Sequence, residues 1–228
     1  SRDGRIKVVF RERNGHISAA SNSALSLATG DYTALLDHDD ELTPDALYEI
    51  ASLLCRKPDT DMIYTDEDKI DTRGERHSPF FKPDWSPDTL LSLMYTCHLG
   101  VYRTALVRKI GGFREGFEGS QDYDLVLRLT EHTERIGHIP RILYHWRSIP
   151  ESSAARFQAK DYAQDAGLRA IREALQRRGE DAVVEPIAGL SGRYLVRYCL
   201  RGNPLISIVI PTRDQSEMLE ICLQSVFR

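Results

Sequence analysis

Short apolar runs of strand length alternate with amphipathic helical segments along most of this chain of 228 residues. The strand candidates are residues 6–10, 32–36, 61–65 and 141–146. The helix candidates are residues 17–28, 43–55, 104–110, a segment capped by Ser120, a short helix capped by Ser86, and residues 157–178. Strands alternating with helices are typical of an α/β domain with a largely parallel sheet. The pattern therefore predicts a three-layer α/β fold with a mainly parallel sheet, and a loop over residues 66–86.

The composition excludes several classes of protein. Hydrophobic residues make up 41% and charged residues 28%, with a formal net charge of −4, as in ordinary globular proteins. Because Lys and Arg do not cluster, we expect no nucleic-acid partner. No apolar run approaches the ~20 residues of a transmembrane helix, and no signal peptide is evident. Four separated cysteines without a CxxC pair indicate reduced thiols and a cytoplasmic location.

The last residues have a different pattern. Residues 205–210 are a strong strand candidate, and the turn Pro211-Thr212-Arg213-Asp214 leads from them to a helix start. The chain begins with Ser and stops inside this helical pattern, so we expect a piece of a longer protein. The predicted organisation is residues 1–150 as one domain, 151–203 as a helical linker with short strands, and 204–228 as the start of another domain.

An acidic run, Asp37-His38-Asp39-Asp40, directly follows the strand candidate at 32–36. Ligands of open α/β sheets collect at the carboxyl ends of strands. Adjacent carboxylates repel one another unless a cation or donor lies between them, and their hard oxygen atoms suit Mg²⁺ or Mn²⁺. A solvated Asp-rich turn explains the run equally well.

Asp122 and His145 are candidates for chemistry at two other element ends. Asp122 lies in the first turn of the helix capped by Ser120, where the helix dipole favours its anion, which could accept a proton from a sugar hydroxyl. His145 follows Tyr144 near a strand end and could complete a metal site. Taken alone, each is more often structural: Asp122 as a helix-start carboxylate, which is also our interpretation of Asp124, and His145 as a core or surface histidine.

Two further positions could line a sugar pocket. Asp66 opens the polar run Asp66-Glu67-Asp68-Lys69, and Trp85 offers an aromatic ring on which a sugar could stack. A solvated turn and core packing, respectively, are the alternatives.

Taken in order, these segments resemble the family 2 glycosyltransferases with the glycosyltransferase A-type (GT-A) fold, over residues 5 to about 150. The matching residues are 14–22, 29–32, 36–42, 110–113, 121–125 and 144–147. The subset that adds O-antigen or other bacterial surface sugars is the most similar. The resemblance implies an inverting enzyme, hexosyl- or rhamnosyl-type, at the inner face of the cytoplasmic membrane or in the cytoplasm. Its donor is a nucleotide sugar and its acceptor a glycan or lipid-linked glycan.

The resemblance also implies residue roles. Asp37 and Asp39 form the Asp-x-Asp pair, in which Asp39 holds Mn²⁺ or Mg²⁺ with His145 as a further ligand, and Asp37 faces the ribose or phosphates. Asp122 matches the catalytic base, although Gln121 precedes it where Glu is common. The implied donor-binding residues are Asn14, Gly15, Ser18, Asn22, Asp37 and Asp39. The acceptor or sugar pocket comprises Asp66, Trp85, His98 and Gln121.

The family opens with a strand, a Pro-containing turn, a helix and a strand with an acidic nucleotide contact, all absent here. We therefore expect a GT-A fold lacking its N-terminal nucleotide-binding strands. Residues 206–228 resemble that opening, which predicts a tandem protein with a second glycosyltransferase domain. In a further hypothesis, the strand at 205–210 fills the sheet edge beside 32–36, in cis or from a neighbouring chain.

Two other functions remain open. The chain could be a non-catalytic module that binds metal or glycan without transfer. A metal-dependent nucleotidyl- or phosphotransferase is the other alternative, but no Gly-rich phosphate loop supports it.

Overall fold

The structure, a computed structural model, describes residues 3–148 and 157–227, and only the backbone of residues 157–161. The described residues form two compact units, one ending at Tyr198 and the other beginning at Cys199. Among the described residues, every helix is too short or too polar to span a bilayer.

The first unit is built on a mixed sheet. Its strands are β1 Tyr32–Ala34, β2 Glu41–Leu42, β3 Met62–Ile70, β4 Arg76–Phe80, β5 Gly100–Arg103 and β6 Ile136–Arg147. The order is β1-β5-β3-β6-β2, with β4 paired to β3. Of the described strand pairings in this sheet, β3–β6 is parallel and the other four are antiparallel. The α/β class is therefore confirmed, but the prediction of a mainly parallel sheet is wrong. Short connections such as residues 71–75 return the chain antiparallel, whereas parallel pairs need long crossovers.

Six helices and a hairpin accompany this sheet in the part of the chain that the structure describes, and the second unit contains one described helix. The elements of the first unit are α1 His16–Leu27, α2 Ala46–Arg56, α3 Pro87–Ser92, α4 Thr104–Lys109, α5 Gln121–Leu129, α6 Phe157–Arg177, and the hairpin of β7 Ala182–Pro186 and β8 Tyr194–Tyr198. The helix of the second unit is α7 Ser216–Val226. These helices confirm the helix predictions to within a few residues. The Ser86 hydroxyl accepts the backbone N–H of Thr89, as its predicted cap requires.

Two apolar clusters cover opposite faces of the sheet, which gives three layers. Successive side chains of β3 alternate between them, because neighbouring residues of a strand point to opposite faces. Met62 and Tyr64 join the cluster that includes residues of α5 and α6, while Ile63 joins the one that includes residues of α2. Tyr194 of β8 belongs to the first cluster, so the hairpin and α6 are part of the first unit.

Three predictions of local structure are wrong. Residues 6–10 form no strand, and four apolar side chains there are exposed: Ile6, Val8, Val9 and Phe10. The predicted loop at 66–86 contains the end of β3 and all of β4. Polar and charged residues are typical of loops. The sequence does not reveal that several charged side chains of this segment are paired in the structure. Residues 205–210 form no strand among the described residues, and Leu205 is 97% exposed, so the strand that the edge-filling hypothesis requires is not formed.

Candidate active site

The acidic turn of residues 37–40 is held by the end of β6. The Tyr144 hydroxyl donates a hydrogen bond to Oδ2 of Asp40 and accepts one from the backbone N–H of Asp37 at 3.3 Å. The backbone N–H of Arg147 donates to Oδ1 of Asp40 at 2.7 Å, and its guanidinium Nε donates to the carbonyl oxygen of Asp39, also at 2.7 Å. The turn is therefore an ordered part of the sheet edge.

His98 lies beside this turn. It belongs to the segment between α3 and β5, and its ring stacks on that of Tyr144. Asp37, Asp40 and His98 can each offer one ligand atom such that all three atoms lie within 4.8 Å of one another. Two carboxylate oxygens and an imidazole nitrogen at this spacing are a donor set that fits one divalent cation such as Mn²⁺ or Mg²⁺.

A buried ion pair lies next to His98. Lys82 Nζ is 2.8 Å from Oε2 of Glu67, and the same oxygen accepts the backbone N–H of His98 at 3.0 Å. Burial alone would raise the pKa of Glu67, but the contacts with His98 and Lys82 outweigh it and lower the pKa to about 2. Burial disfavours the His98 imidazolium, yet Glu67, Asp122 and Asp37 outweigh this effect and raise the pKa of His98.

Asp122 approaches the same group from the start of α5. Its Oδ1 accepts the backbone N–H of Tyr123 at 2.8 Å. Burial raises the pKa of Asp122, while His98 and the backbone hydrogen bonds oppose that rise. Asp37 also has a raised pKa, first because it is partly desolvated, with Asp40, Asp122 and Asp39 adding to the rise against the effect of His98. The charge of Asp122 is thus one of the causes of the raised pKa of Asp37.

The neighbours of Asp122 have local partners. The Gln121 side-chain oxygen accepts the backbone N–H of Gly119 at 2.8 Å. The Ser120 hydroxyl makes no cap hydrogen bond to α5, contrary to the sequence prediction, and instead donates to the carbonyl oxygen of Ala163 at 2.8 Å. Asp124 forms ion pairs with Arg114 and Arg128, which agrees with its interpretation as a structural carboxylate.

The predicted metal ligands Asp39 and His145 have other partners in the structure. His145 is buried, and its Nδ1 is hydrogen-bonded to Asp68. Asp39 is half-buried with Oδ1 at 3.5 Å from Nδ1 of His38. Neither belongs to the group formed by Asp37, Asp40 and His98.

Two predicted pocket residues lie in different surroundings from Asp122. Asp66 is buried, where its Oδ1 accepts the backbone N–H of Lys82 at 2.9 Å and lies 3.0 Å from Nε2 of His138. Trp85 lines a cavity of about 370 Å³ with Leu90 and Thr130. Thr130 follows the last residue of α5, whereas Asp122 lies in its first turn.

The predicted donor-binding residues gather on α1 and the turn before it. Asn14 accepts the backbone N–H of His16 at 2.9 Å, Gly15 is the residue before the helix, and Ser18 is buried. The Asn22 amide donates to the carbonyl oxygen of Phe113 at 2.8 Å and accepts its N–H at 2.9 Å. In this structure the Asn22 side chain therefore holds the Gly111-Gly112-Phe113 loop.

Sequence reasoning considered Asp40 only as part of the acidic run and Glu67 only as part of the polar run at 66–69, and it assigned no role to Lys82 or Tyr144. The available signal was the run Asp66-Glu67-Asp68, because three consecutive carboxylates inside a strand must find partners if the strand is buried. Lys82 carries no comparable signal, since a lone lysine is usually a surface residue.

Comparison with known proteins shows what this chain is similar to. Residues 1–111 match the family described as glycosyl transferase family 2. The chain is 48% identical over 228 residues to the uncharacterized protein y4gI of Sinorhizobium fredii, covering 99% of this chain and 25% of that protein. It is 42% identical over 225 residues to the O-antigen biosynthesis protein RfbC of Myxococcus xanthus, covering 99% of this chain and 18% of RfbC. The chain thus spans a quarter or less of these two relatives.

A solved structure supports the fold. The mannosyltransferase PcManGT of Pyrobaculum calidifontis, in complex with GDP-Man and Mn²⁺, aligns with a TM-score of 0.53 at 16% identity. The alignment covers 75% of this chain and 49% of PcManGT. Over residues 1–111 the chain is thus similar to glycosyl transferase family 2, and its fold is of the GT-A type.

Proposed function

We propose that this chain carries the cation-binding and base-bearing part of an inverting glycosyltransferase. The reaction moves a hexosyl or rhamnosyl group from a nucleoside diphosphate to a hydroxyl of a glycan or lipid-linked glycan, in the synthesis of a bacterial surface polysaccharide. The family match over residues 1–111 and the likeness to RfbC support this class of reaction. The observation that carries the proposal is the group of Asp37, Asp40 and His98, whose ligand atoms lie within 4.8 Å of one another. The charge of Asp122 contributes to the raised pKa values of Asp37 and His98.

The acidic turn is the proposed cation site. The geometry favours Asp37, Asp40 and His98 as ligands, whereas the resemblance favours Asp39 with His145. A bound Mn²⁺ or Mg²⁺ would neutralise the charge of the departing nucleoside diphosphate. Arg147 and Tyr144 would keep the turn in place, because both contact it through hydrogen bonds.

Asp122 is the proposed catalytic base. It would accept the proton of the acceptor hydroxyl while the hydroxyl oxygen attacks the anomeric carbon from the face opposite the leaving group. A single displacement of this kind inverts the configuration. The raised pKa of Asp122 suits this role, because a base is more effective when its pKa is closer to the working pH.

The domain organisation predicted from the sequence is also a proposal. Residues 1–150 would form most of one transferase domain, 151–203 a helical connection, and 204–228 the start of a second glycosyltransferase domain. The division between Tyr198 and Cys199 lies close to the proposed start of the second domain at residue 204, whereas α6 and the hairpin belong to the first unit. Such a protein would work in the cytoplasm or at the inner face of the cytoplasmic membrane, where nucleotide sugars are available.

Calorimetry with Mn²⁺ and a panel of UDP, dTDP and GDP tests the site. We expect Mn²⁺-dependent nucleotide binding that is weakened at least tenfold by substitution of a true ligand. Loss in Asp40→Asn and His98→Ala supports the geometric ligand set, and loss in Asp39→Asn and His145→Ala supports the other. The exposed Asp59 provides the control Asp59→Asn, which should bind normally.

Transfer assays then test the base. Asp122→Asn should keep Mn²⁺ and nucleotide binding but lose ~10²–10⁴-fold in transfer rate. If the chain binds neither Mn²⁺ nor any nucleotide, the transferase proposal fails. The alternative, a module that binds glycan without transfer, would then be the better account.

A further inference from the structure

Lys82 is a charged side chain with no exposure to solvent. Its side chain is 0% exposed, and Nζ contacts three acceptors: Oε2 of Glu67 at 2.8 Å, the carbonyl oxygen of Thr96 at 3.0 Å and that of His98 at 2.5 Å. A lysine ammonium has three N–H donors, so each donor has an acceptor. A buried charge is tolerated only when it is paired and hydrogen-bonded in this way.

The acceptors of Lys82 lie on two separate segments. Glu67 belongs to β3, while Thr96 and His98 lie in the segment before β5. Glu67 Oε2 also accepts the backbone N–H of His98 at 3.0 Å. The backbone of His98 is thus held on both sides, with its N–H bound by Glu67 and its carbonyl oxygen by Lys82.

This arrangement also directs the His98 ring. Its Nδ1 lies 3.5 Å from Oε2 of Glu67, and one face of the ring stacks on Tyr144. The ring therefore stays where it interacts with both Asp37 and Asp122. Removing the Lys82 ammonium would release the carbonyl oxygens of Thr96 and His98, so the segment that carries the ring could shift.

A gain in stability alone does not explain a buried ion pair such as Lys82–Glu67. A buried ion pair loses much of its Coulombic gain to desolvation, and well-packed apolar residues often replace one without loss of stability. We propose that Lys82 and Glu67 are positioning residues of the reaction centre, which hold His98 between the acidic turn and the base. This inference rests on the proposed function for its kinetic consequence, but its structural part can be tested without any activity.

Nuclear magnetic resonance of the chain labelled with ¹³C-histidine provides the structural test. In the wild-type background, Asp37→Asn and Asp122→Asn should each shift the His98 ring signal. The double variant Glu67→Gln/Lys82→Met leaves no unpaired buried charge. When Asp37→Asn or Asp122→Asn is added to this double variant, the shift of the His98 ring signal should disappear. Lys82→Arg should retain them, because it keeps a cation at this position. The matched control is Arg103→Met, which breaks the 2.6 Å ion pair between Arg103 of β5 and Asp61 next to β3, and should leave the responses unchanged.

Enzyme kinetics provide the second test of this inference. Because misplacement by about 1 Å can cost ~10²-fold in rate, the double variant should lose up to that factor in kcat. Its donor KM should also rise, because His98 is one of the proposed cation ligands. Lys82→Arg should recover most of kcat, and Arg103→Met should keep it. Circular dichroism would verify that each variant is folded.

Either of two results overturns the inference. One is an unchanged His98 response in the folded double variant, and the other is an unchanged kcat in that variant. If Lys82→Met and the double variant both fail to fold while Lys82→Arg folds with the His98 response lost, the specific positioning by Lys82 is likewise contradicted. Failure of the proposed function would be seen separately, as absence of transfer and nucleotide binding in the wild type.

Discussion

The imidazole ring of His98 lies nearly parallel to the phenol ring of Tyr144, with centroids 4.7 Å apart and planes 16° apart. The hydroxyl of the same tyrosine contacts the acidic turn through Asp37 and Asp40. One side chain of β6 therefore touches all three members of the candidate cation site. Its ring and its hydroxyl can be tested separately.

Tyr144→Phe keeps the ring and removes the hydroxyl. We expect Mn²⁺ affinity to fall about tenfold, because residues that orient metal ligands typically contribute 10–100-fold. The free energy of unfolding should fall by ~1 kcal/mol for the lost hydrogen bonds. Calorimetry and urea unfolding measure the two effects. Tyr194→Phe is the control, since its hydroxyl bonds to the carbonyl oxygen of Gln164, and it should lower stability without affecting Mn²⁺. Equal Mn²⁺ affinity in Tyr144→Phe and the wild type would contradict the prediction.

The rate of transfer should depend on the ionisation of Asp122. A base must be deprotonated to act, and the pKa of Asp122 is raised above its ordinary value. The value of kcat/KM should therefore decline as the pH falls, with a midpoint above the ~4 typical of an aspartate. His98 lowers this pKa, so His98→Gln should move the midpoint to higher pH. A pH profile of both proteins measures this, and a midpoint at or below ~4 would argue against Asp122 as the base.

Glu67 should make stability depend on pH in the acid range. Its pKa is lowered from 4.5 to about 2 in the folded chain. A carboxylate with a lowered folded pKa stabilises the native state above its unfolded pKa, and this contribution is lost as the pH falls through the folded pKa. The loss between pH ~5 and ~2 should be on the order of 3 kcal/mol.

Glu67→Gln is the variant that isolates this effect. At neutral pH it should be ~3–5 kcal/mol less stable than the wild type, because Lys82 is left as an unpaired buried charge. The difference should shrink as the pH approaches ~2, which urea unfolding at several pH values can follow. Glu185→Gln, at an exposed pair with Arg197, serves as control. A constant difference at all pH values would refute the assignment.

Gly112 and Asn22 should be coupled through a close contact. Gly112 has φ +68°, and a Cβ added to it would lie 2.5 Å from Oδ1 of Asn22. Gly111 has φ +84° but open space around the Cβ position. Gly111→Ala should therefore cost only the backbone strain of ~1–2 kcal/mol. Gly112→Ala should cost more, because the Asn22 amide must also release Phe113. Equal losses in thermal or urea unfolding would show that Asn22 moves aside freely.

Much of the helical structure could be predicted because apolar periodicity reflects burial of one face. Residues of α1, α2 and α6 show this spacing, and the structure places helices there. Strand direction was not predictable, because it depends on which neighbour each strand meets. β5 was missed, since four residues are too few to show a period.

The residues of the candidate site could be predicted where their position next to a strand or helix end marks them in the sequence. Asp37 and Asp122 were both singled out by their position at the ends of elements, and the charge of Asp122 contributes to the raised pKa of Asp37. The partner of Glu67 could not be found, because Lys82 lies fifteen residues further along the chain. A buried ion pair leaves no pattern in the sequence, because each charged residue taken alone is typical of an exposed loop.

The three consecutive acidic residues of β3 limit where insertions and deletions can occur in this chain. Asp66 contacts His138, Glu67 contacts Lys82 and Asp68 contacts Arg76 and His145. The register of β3 against β6 shifts between Thr65 and Glu67. Inserting or deleting one residue here would exchange the faces of all three carboxylates at once and leave several buried charges without partners. Natural variation in length should therefore avoid residues 65–68 and gather in the hairpin turn at 71–75, where a longer loop costs little.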